Sequence, residues 1–152
     1  MMSGELPGDR VVAGWRERVD LPDWGISGII AKLDTGAKLS AIHVQHLELL
    51  SPTRARFEVV IRRRRPRTHV VAEADVVRIA RVKPTTGHIH ERPVVRTTLR
   101  IGPLSFPIEL SLVDRERMLN RMLLGRRALG GRVLVDSEHK FLIGNSHGTA
   151  AP

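Results

Sequence analysis

The sequence predicts an all-β domain, closed as a barrel or built as a sandwich, with one or two short helices. Short runs rich in β-branched residues alternate apolar and polar side chains along most of the chain, as half-buried strands do. Clusters of Gly, Pro, Asp and Asn interrupt these runs at close spacing, which is typical of all-β domains. At 152 residues, without repeats or linkers, the chain has the length of one domain with a core.

The first half of the chain contains the strands that lead into and out of one acidic turn. Alternation around Trp15 and Val19 predicts a strand that ends at Pro22, and the turn Asp23-Trp24-Gly25 joins it to the next strand as a hairpin. That second strand delivers Asp34. The predicted strands of this half are residues 11–21, 26–33, 40–47 and 56–62, followed by one or two strands within 68–82.

The second half alternates strands and turns and contains the short helices. A turn signal covers residues 83–88, and Gly102-Pro103 marks the next turn. Asp114 as an N-cap predicts one helical turn over 114–120, and residues 127–131 predict a short helix with a glycine stop. The predicted strands are 89–101, 104–113, 122–126, 132–135 and 140–143, the last two around a turn at 136–139.

We expect a domain over residues 11–145, with flexible ends at 1–10 and 146–152. The sequence contains no cysteine, which excludes disulfides and thiolate metal sites. Its first ten residues lack the apolar run of a signal peptide, and no run of about 18 apolar residues predicts a membrane span. A cytoplasmic protein without membrane contact is therefore expected.

The charge is strongly positive, and it comes mainly from arginine. Lys and Arg number 25 against 16 Asp and Glu, which gives a net charge of +9. Such a surface attracts phosphate groups or acidic peptides. Nucleic acid is a weaker candidate partner, because only 3% of residues are aromatic and there is no tyrosine for base stacking. The arginine run at residues 62–67 is interpreted as a solvated hairpin tip rather than a phosphate site.

The segment Asp34-Thr35-Gly36-Ala37 follows the apolar end of a predicted strand. Gly36 allows a tight turn, and the hydroxyl of Thr35 can hydrogen-bond to backbone or carboxylate groups nearby. The turn would hold a carboxylate rigidly at a strand end, as acid/base chemistry requires. The tripeptide alone is more typical of a plain turn, so other parts of the chain decide its role.

Several segments in order resemble those of a retropepsin-like aspartic protease subunit, and more narrowly of the bacterial family named ATP-dependent zinc proteases. The resemblance covers about residues 12–143 and implies a closed acid-protease β-barrel. The matching segments are Gly14-Trp15-Arg16-Glu17, residues 31–37, Ser40-Ala41-Ile42-His43, Arg92-Pro93-Val94-Val95, Arg115 with Met118, residues 122–126 and Val135-Asp136.

The resemblance implies an endopeptidase that works as a homodimer. Aspartic proteolysis needs two carboxylates, and only one of the seven aspartates, Asp34, lies in an Asp-Thr-Gly frame. Asp34 would therefore meet Asp34 of a second copy at a two-fold axis. The implied roles are catalysis for Asp34, an active-site loop at Thr35, Gly36 and Ala37, a flap at Thr86, Gly87 and His88, and loop support from Leu124, Gly125 and Arg126.

The family's name does not agree with the motifs of this chain. There is no His-Glu-x-x-His segment for zinc and no phosphate-binding loop for ATP. His88 and His90 could share a strand face, but no acidic cluster completes a closed metal site there, although Glu91 is adjacent. We expect no metal and no cofactor. In addition, Lys38 and Leu39 stand where viral relatives have acidic residues that anchor the substrate and pair with the later arginine. A basic rim with Lys32 and Lys38 suits an acidic peptide such as a glutamate-rich tail.

Two other functions stay open on the sequence alone. The same fold can bind peptides without cutting them, because a fold does not determine an activity. The net charge also fits a basic nucleic-acid-binding β domain. The intact Asp34-Thr35-Gly36 segment favours the aspartic endopeptidase.

Overall fold

The computed structural model describes residues 10–61, 68–82, 87, 90–114 and 120–143. This part of the chain forms ten strands and one short α-helix, in addition to a single 3-10 turn at Pro22–Trp24. The all-β prediction is therefore confirmed. The strands are β1 Val11–Gly14, β2 Arg16–Leu21, β3 Ile26–Leu33, β4 Ser40–Ser51, β5 Arg54–Val60, β6 His69–Val82, β7 His90–Ile101, β8 Leu104–Val113, β9 Met122–Leu124 and β10 Val133–Asp136, and the helix is α1, Arg126–Leu129.

The strand pairings form a closed ring. In order around the ring, β2 pairs with β3, β3 with β9, β9 with β4, β4 with β8, β8 with β7, and β7 returns to β2 through Asp20 and Arg100. The pairs β3–β9 and β4–β8 are parallel and the others are antiparallel. Strands β5 and β6 connect β4 to β7 by a second route. The parallel pair β3–β9 determines the position of the acidic turn, because Asp34 directly follows β3.

One apolar core fills the ring. Alternate residues of β2, β3, β7 and β8 point into it, so the period of two in the sequence is matched by alternating burial. The 3-10 turn adds Trp24, whose ring packs edge-on against Phe57 with 5.1 Å between ring centroids. Edge-to-face packing of this kind is a favoured aromatic arrangement. The turn predicted at Asp23-Trp24-Gly25 thus also closes part of the core.

The first predicted strand is in fact two strands. The break is at Trp15, whose N–H donates to the carbonyl of His139 at 3.0 Å and whose carbonyl accepts from the N–H of Leu33 at 2.8 Å. These bonds divert the chain, so β1 pairs in parallel with β10 and β2 pairs with β3. A side chain at Gly14 would meet the His139 carbonyl oxygen at 2.5 Å. Alternation alone did not reveal this close approach.

The prediction of a last strand at residues 140–143 is wrong. Residues 140–143 form no strand: Phe141 has a φ of +56°, and Leu142 and Ile143 are helical. The N–H groups of Leu142 and Ile143 donate to the carboxylate of Glu17, a partner that local sequence does not indicate. The predicted hairpin with 132–135 is likewise absent, because β10 pairs with β1.

Other boundaries differ by a few residues. Strand β4 continues to Ser51 and β5 begins at Arg54. The arginine run 62–67, residues 115–119 of the predicted helical turn, and the chain ends 1–9 and 144–152 lie outside the described residues. Within the described part, no helix has the length and apolar character needed to span a membrane.

Candidate active site

Asp34 is held at the end of β3 by its own backbone. Its N–H donates to the carbonyl oxygen of Leu124 at 2.8 Å, which continues the parallel pairing of Leu33 with Leu124 by one further bond. On the other side of the strand, the Leu33 N–H is bonded to the Trp15 carbonyl. Leu33 and Leu124 are both buried. Asp34 is therefore anchored to the core on two sides of the strand that carries it.

The turn after Asp34 closes through backbone groups of the predicted loop. The N–H of Gly36 donates to Oδ1 of Asp34 at 2.9 Å, and the N–H of Ala37 donates to the Asp34 carbonyl oxygen at 3.2 Å. Asp34 is partly exposed, and Thr35 and Gly36 are exposed. A Cβ at Gly36 would lie 3.2 Å from Oδ1 of Asp34, which is a tight contact. The turn therefore orients the carboxylate and leaves it accessible.

Leu124 and Gly125 lie directly behind this turn. The buried N–H of Gly125 donates to Oγ of Ser40 at 3.0 Å. A Cβ at Gly125 would meet the carbonyl oxygens of Leu39 at 2.5 Å and of Ala37 at 2.8 Å. These are backbone atoms that cannot rotate away, so only glycine fits without moving the loop. The structure thus brings the predicted support residues and the predicted loop together.

Arg126 contacts the same turn at two points. Its N–H donates to the Ala37 carbonyl at 2.7 Å, and its Nη1 donates to the Thr35 carbonyl at 3.0 Å. In viral relatives the corresponding arginine pairs with an acidic residue, and those acidic positions are Lys38 and Leu39 in this chain. Among the described residues Arg126 makes no ion pair, and a backbone carbonyl takes that place. Lys38, where viral relatives have an acid, is exposed.

The predicted flap is described only at its glycine. Gly87 has a φ of +88° and is exposed, which agrees with a turn that requires glycine. Thr86 and His88 lie outside the described residues. The flanking strands β6 and β7 are antiparallel and are paired up to Val82 and His90.

One group of potential metal ligands lies at the end of β10 and just after it. Ligand atoms of Asp136, Glu138 and His139 are within 4.8 Å of one another. Nδ1 of His139 donates to Asp136 at 2.8 Å, and the Glu138 N–H donates to the other carboxylate oxygen at 2.8 Å. These two bonds lower the pKa of the Asp136 carboxyl below its ordinary value of 3.8. The internal hydrogen bonds account for the cluster without an ion.

Glu17 is the residue whose role the sequence did not reveal. It is fully buried, and its Oε2 accepts from the N–H groups of Gly14 at 2.7 Å, Leu142 at 2.8 Å and Ile143 at 3.2 Å. It thereby ties the β1–β2 break, which is bonded to Leu33, to the end of the described chain. Its position two residues before the buried Val19 was the available signal, because alternation places both side chains inward.

Comparison with known families agrees with this geometry. Residues 12–146 match the RimB-like family model, described as "Retropepsin-like aspartic endopeptidase RimB". The chain belongs to this family. The resemblance inferred from the short sequence segments is confirmed, and the RimB-like match covers nearly all of the described strands.

Curated relatives of this RimB-like chain carry a different name. A "Probable alpha-L-glutamate ligase" of Parasynechococcus marenigrum is 36% identical over 139 residues, which is 90% of this chain and 30% of the relative. A protein of the same name from Desulfotalea psychrophila is 33% identical over 136 residues, covering 88% of this chain and 29% of the relative. The chain thus spans less than a third of the length of these relatives.

A solved structure has a similar fold over its whole length. A Legionella pneumophila protein of unknown function is 28% identical, with a TM-score of 0.72. The match covers 88% of this chain and 98% of that one. The ring of strands described above is therefore close to the arrangement of the Legionella protein.

Proposed function

We propose that this protein is an aspartic endopeptidase whose active site forms when Asp34 of two copies meet across a two-fold axis. The observation that carries the proposal is the set of contacts that fix the position of Asp34. Its N–H is bonded to Leu124, its Oδ1 accepts from Gly36, and Gly125 leaves no space behind the loop. A partly exposed carboxylate held in this way suits acid/base chemistry, because its position costs no rearrangement during the reaction.

The proposed chemistry uses two carboxylates that share one proton. The ionised Asp34 removes a proton from a water molecule, which attacks the carbonyl carbon of the peptide bond. The protonated Asp34 of the partner subunit donates its proton to the carbonyl oxygen. As the C–N bond breaks, the carboxyl that now holds the proton gives it to the leaving amine nitrogen. The other carboxylate takes a proton from a hydroxyl of the tetrahedral intermediate while the C=O bond re-forms, so the pair again shares one proton. One subunit supplies one Asp-Thr-Gly segment, so the site needs two copies.

The small sheet of β1 and β10 offers a surface for this dimer. Among the described strands these two pair only with each other, so they form a sheet separate from the ring. Val12 and Leu134 are in register, and they are 54% and 42% exposed. Strand β1 also leads directly into Trp15, which is bonded to Leu33 beside Asp34. A second copy packed on this sheet would cover its apolar face.

An acidic peptide is the proposed substrate class. Lys32 and Lys38, on either side of Asp34, are exposed, and the net charge is +9. The curated relatives, of which this chain matches under a third, are named as glutamate ligases. A domain joined to an enzyme that adds glutamate would encounter glutamate-rich chains. A peptidase with a basic rim would bind such chains by charge.

Cleavage by the wild type and by Asp34→Asn tests the proposal. Both proteins are incubated with glutamate-rich and neutral peptides at acidic and neutral pH, and products are identified by mass spectrometry. The asparagine keeps the oxygen that Gly36 bonds, so the fold is retained and only the titrating group is lost. We expect cleavage by the wild type and none by the variant. No cleavage by the wild type under any condition would overturn the peptidase assignment.

Mixing the two proteins tests the dyad separately. After subunits have exchanged, only pairs with two Asp34 carboxylates are active, so activity should fall with the square of the wild-type fraction. A decrease in proportion to the wild-type fraction, or a smaller one, would mean that one Asp34 is sufficient. Equal rates on neutral and glutamate-rich peptides at low salt would contradict the proposed substrate class, because unscreened charge should favour the acidic peptide.

A further inference from the structure

A cavity lies beside the residues that follow the active-site turn. Its volume is about 440 Å³, and its walls come from β6, β7, β8, α1 and the start of β4. The buried side chains of Ser40 and Ser111 are part of its lining. Its charged groups are Arg78, Arg96, Arg127, Arg132 and Glu109. Four guanidinium groups against one carboxylate give these side chains a net charge of +3.

Two of these arginines, Arg78 and Arg96, already contact one carboxylate, that of Glu109. Nη1 of Arg78 is 2.6 Å from Oε1 of Glu109, and Nη2 of Arg96 is 3.8 Å from Oε2 of the same group. The side chains of Arg78 and Glu109 are only 37% and 36% exposed, so water screens this pair less than a fully exposed one. The geometry of this wall therefore suits carboxylate binding.

The other two arginines of the lining lie in α1 and just after it. Arg132 is fixed in place, because its guanidinium carbon lies 4.2 Å from the centroid of the Phe106 ring and its Nη1 donates to the Ala128 carbonyl at 3.3 Å. Arg127 is exposed at the start of α1. Within the described ranges neither Arg127 nor Arg132 makes an ion pair. A guanidinium has five N–H donors, so both keep donors for a ligand.

The cavity is joined to the active-site turn by the backbone. Leu39 and Ser40, which line it, follow the turn directly, and the N–H of Arg127 donates to the Lys38 carbonyl at 3.1 Å. Gly125, which braces the Asp34 loop, comes immediately before α1. A peptide that leaves the active site past residues 38–40 would therefore meet the arginines.

We infer that this cavity is a carboxylate-binding subsite, in which Arg127 and Arg132 bind an acidic side chain of the substrate away from the bond that is cut. The inference rests on the proposed function, since the ligand is part of the substrate itself. Bidentate guanidinium–carboxylate pairs supply both affinity and direction. Glu109 occupies the neighbouring arginines and so reduces the affinity of the cavity for a second carboxylate.

Binding to hexaglutamate in the Asp34→Asn background tests the subsite without catalysis. Calorimetry at low ionic strength compares the pair Arg127→Gln and Arg132→Gln with Arg100→Gln, an exposed arginine outside the cavity. The double variant should bind about tenfold or more weakly, because it loses charge-assisted hydrogen bonds. A single Arg100→Gln change should weaken binding less than about twofold, since it alters only screened surface charge. Equal losses per arginine removed would overturn the inference.

Glu109→Gln should increase the affinity for hexaglutamate, a result that a misfolded variant could not produce. It removes the competing carboxylate, so hexaglutamate should bind several-fold more tightly, and unchanged or weaker binding contradicts the inference. Free glutamate and inorganic phosphate are tested as competitors. Displacement of hexaglutamate by either at equal concentration would mean a site for small anions and not for the peptide.

Kinetics on the otherwise wild-type protein separate the two proposals. The double arginine variant should raise KM for a glutamate-rich peptide and leave kcat unchanged, because it removes binding that is equal in ground and transition states. A wild type that binds hexaglutamate through these arginines and cuts nothing would defeat the proposed function and leave the subsite. A wild type that cuts the peptide with the same KM as the double variant would defeat the subsite alone.

Discussion

The backbone N–H of Asp34 donates to the carbonyl oxygen of Leu124 at 2.8 Å. This bond extends the parallel pairing of β3 with β9, so two segments far apart in the sequence fix the position of one carboxylate. Strand β9 is also paired with β4, which follows the turn. The strands before and after Asp34 are therefore held by the same three-residue strand, and changes near Leu124 should act on the turn.

Gly125→Ala is the sharpest test of this arrangement. The new methyl group would overlap the carbonyl oxygens of Leu39 and Ala37, so the loop must move away. We expect a loss of roughly 3 kcal/mol in the free energy of unfolding, the upper range for overpacking. Urea denaturation followed by circular dichroism measures it. The cleavage activity of the protein that remains folded should also fall, because the displaced loop carries Asp34.

Gly25→Ala is the matched control for that change. Gly25 has a φ of +68°, and a Cβ there meets nothing within 4 Å. Its substitution therefore costs only the backbone strain of a left-handed residue, about 1 kcal/mol. Equal destabilisation by the two variants would show that the close approach at Gly125 is relieved by a small shift of the loop.

Glu17→Gln tests the buried carboxylate that ties together the chain segments behind the site. Three backbone N–H groups donate to Oε2 of Glu17, and a neutral amide oxygen accepts such bonds more weakly. We expect about 2 kcal/mol of destabilisation in chemical denaturation. The control is Glu91→Gln, which removes only an exposed contact of 3.8 Å with Arg81 and should change stability little. A loss no larger than that of the control would contradict the role given to Glu17.

The sequence predicted the parts of the fold that local patterns determine. Strands β3 and β8 match their predicted limits, and the glycine-ended strand β9 and the short helix α1 lie where expected. Apolar alternation and turn residues are local signals, so these elements could be read directly. The turn at Asp34 followed from the same reasoning.

The missed features depend on contacts between distant segments. The break at Trp15 is produced by bonds to Leu33 and His139, and the helical end at Leu142 by the carboxylate of Glu17. No local pattern encodes those partners. Three of the cavity arginines lie in β6, β7 and α1, and the fourth lies between α1 and β10. The sequence therefore showed an excess of arginine but not where the arginines meet. The distances around Asp34 also depend on the complete ring of strands, so the sequence alone could not give them.

Asp136→Asn should change the response of stability to acid. The hydrogen bond from His139 and that from the Glu138 N–H lower the pKa of Asp136 in the folded protein below 3.8. This contribution is therefore complete above that ordinary value and is lost as the pH falls through the lowered pKa. The difference in Tm between wild type and variant should be present near pH 5 and should shrink below about pH 4. Thermal melts across this range measure it.

His139→Gln provides the companion variant, because it removes the largest cause of the lowered pKa and leaves the carboxylate in place. Its melts should lose part of the same acid dependence. If His139→Gln retained the full wild-type response below pH 4, the response would arise from other carboxylates and not from the Asp136–His139 bond.

Val12→Lys tests the surface proposed for the dimer. Val12 is 54% exposed and lies in register with Leu134, so a lysine there is tolerated by the single subunit but places two like charges near the axis of a β1–β10 contact. We expect a folded monomer without cleavage activity, measured by light scattering during gel filtration and by peptide assay. Val71→Lys is the control, because Val71 is 66% exposed on β6 and adds the same charge elsewhere. A Val12→Lys protein that stays dimeric and active would place the interface away from this sheet, since a buried unpaired lysine costs several kcal/mol, far more than such a contact can absorb.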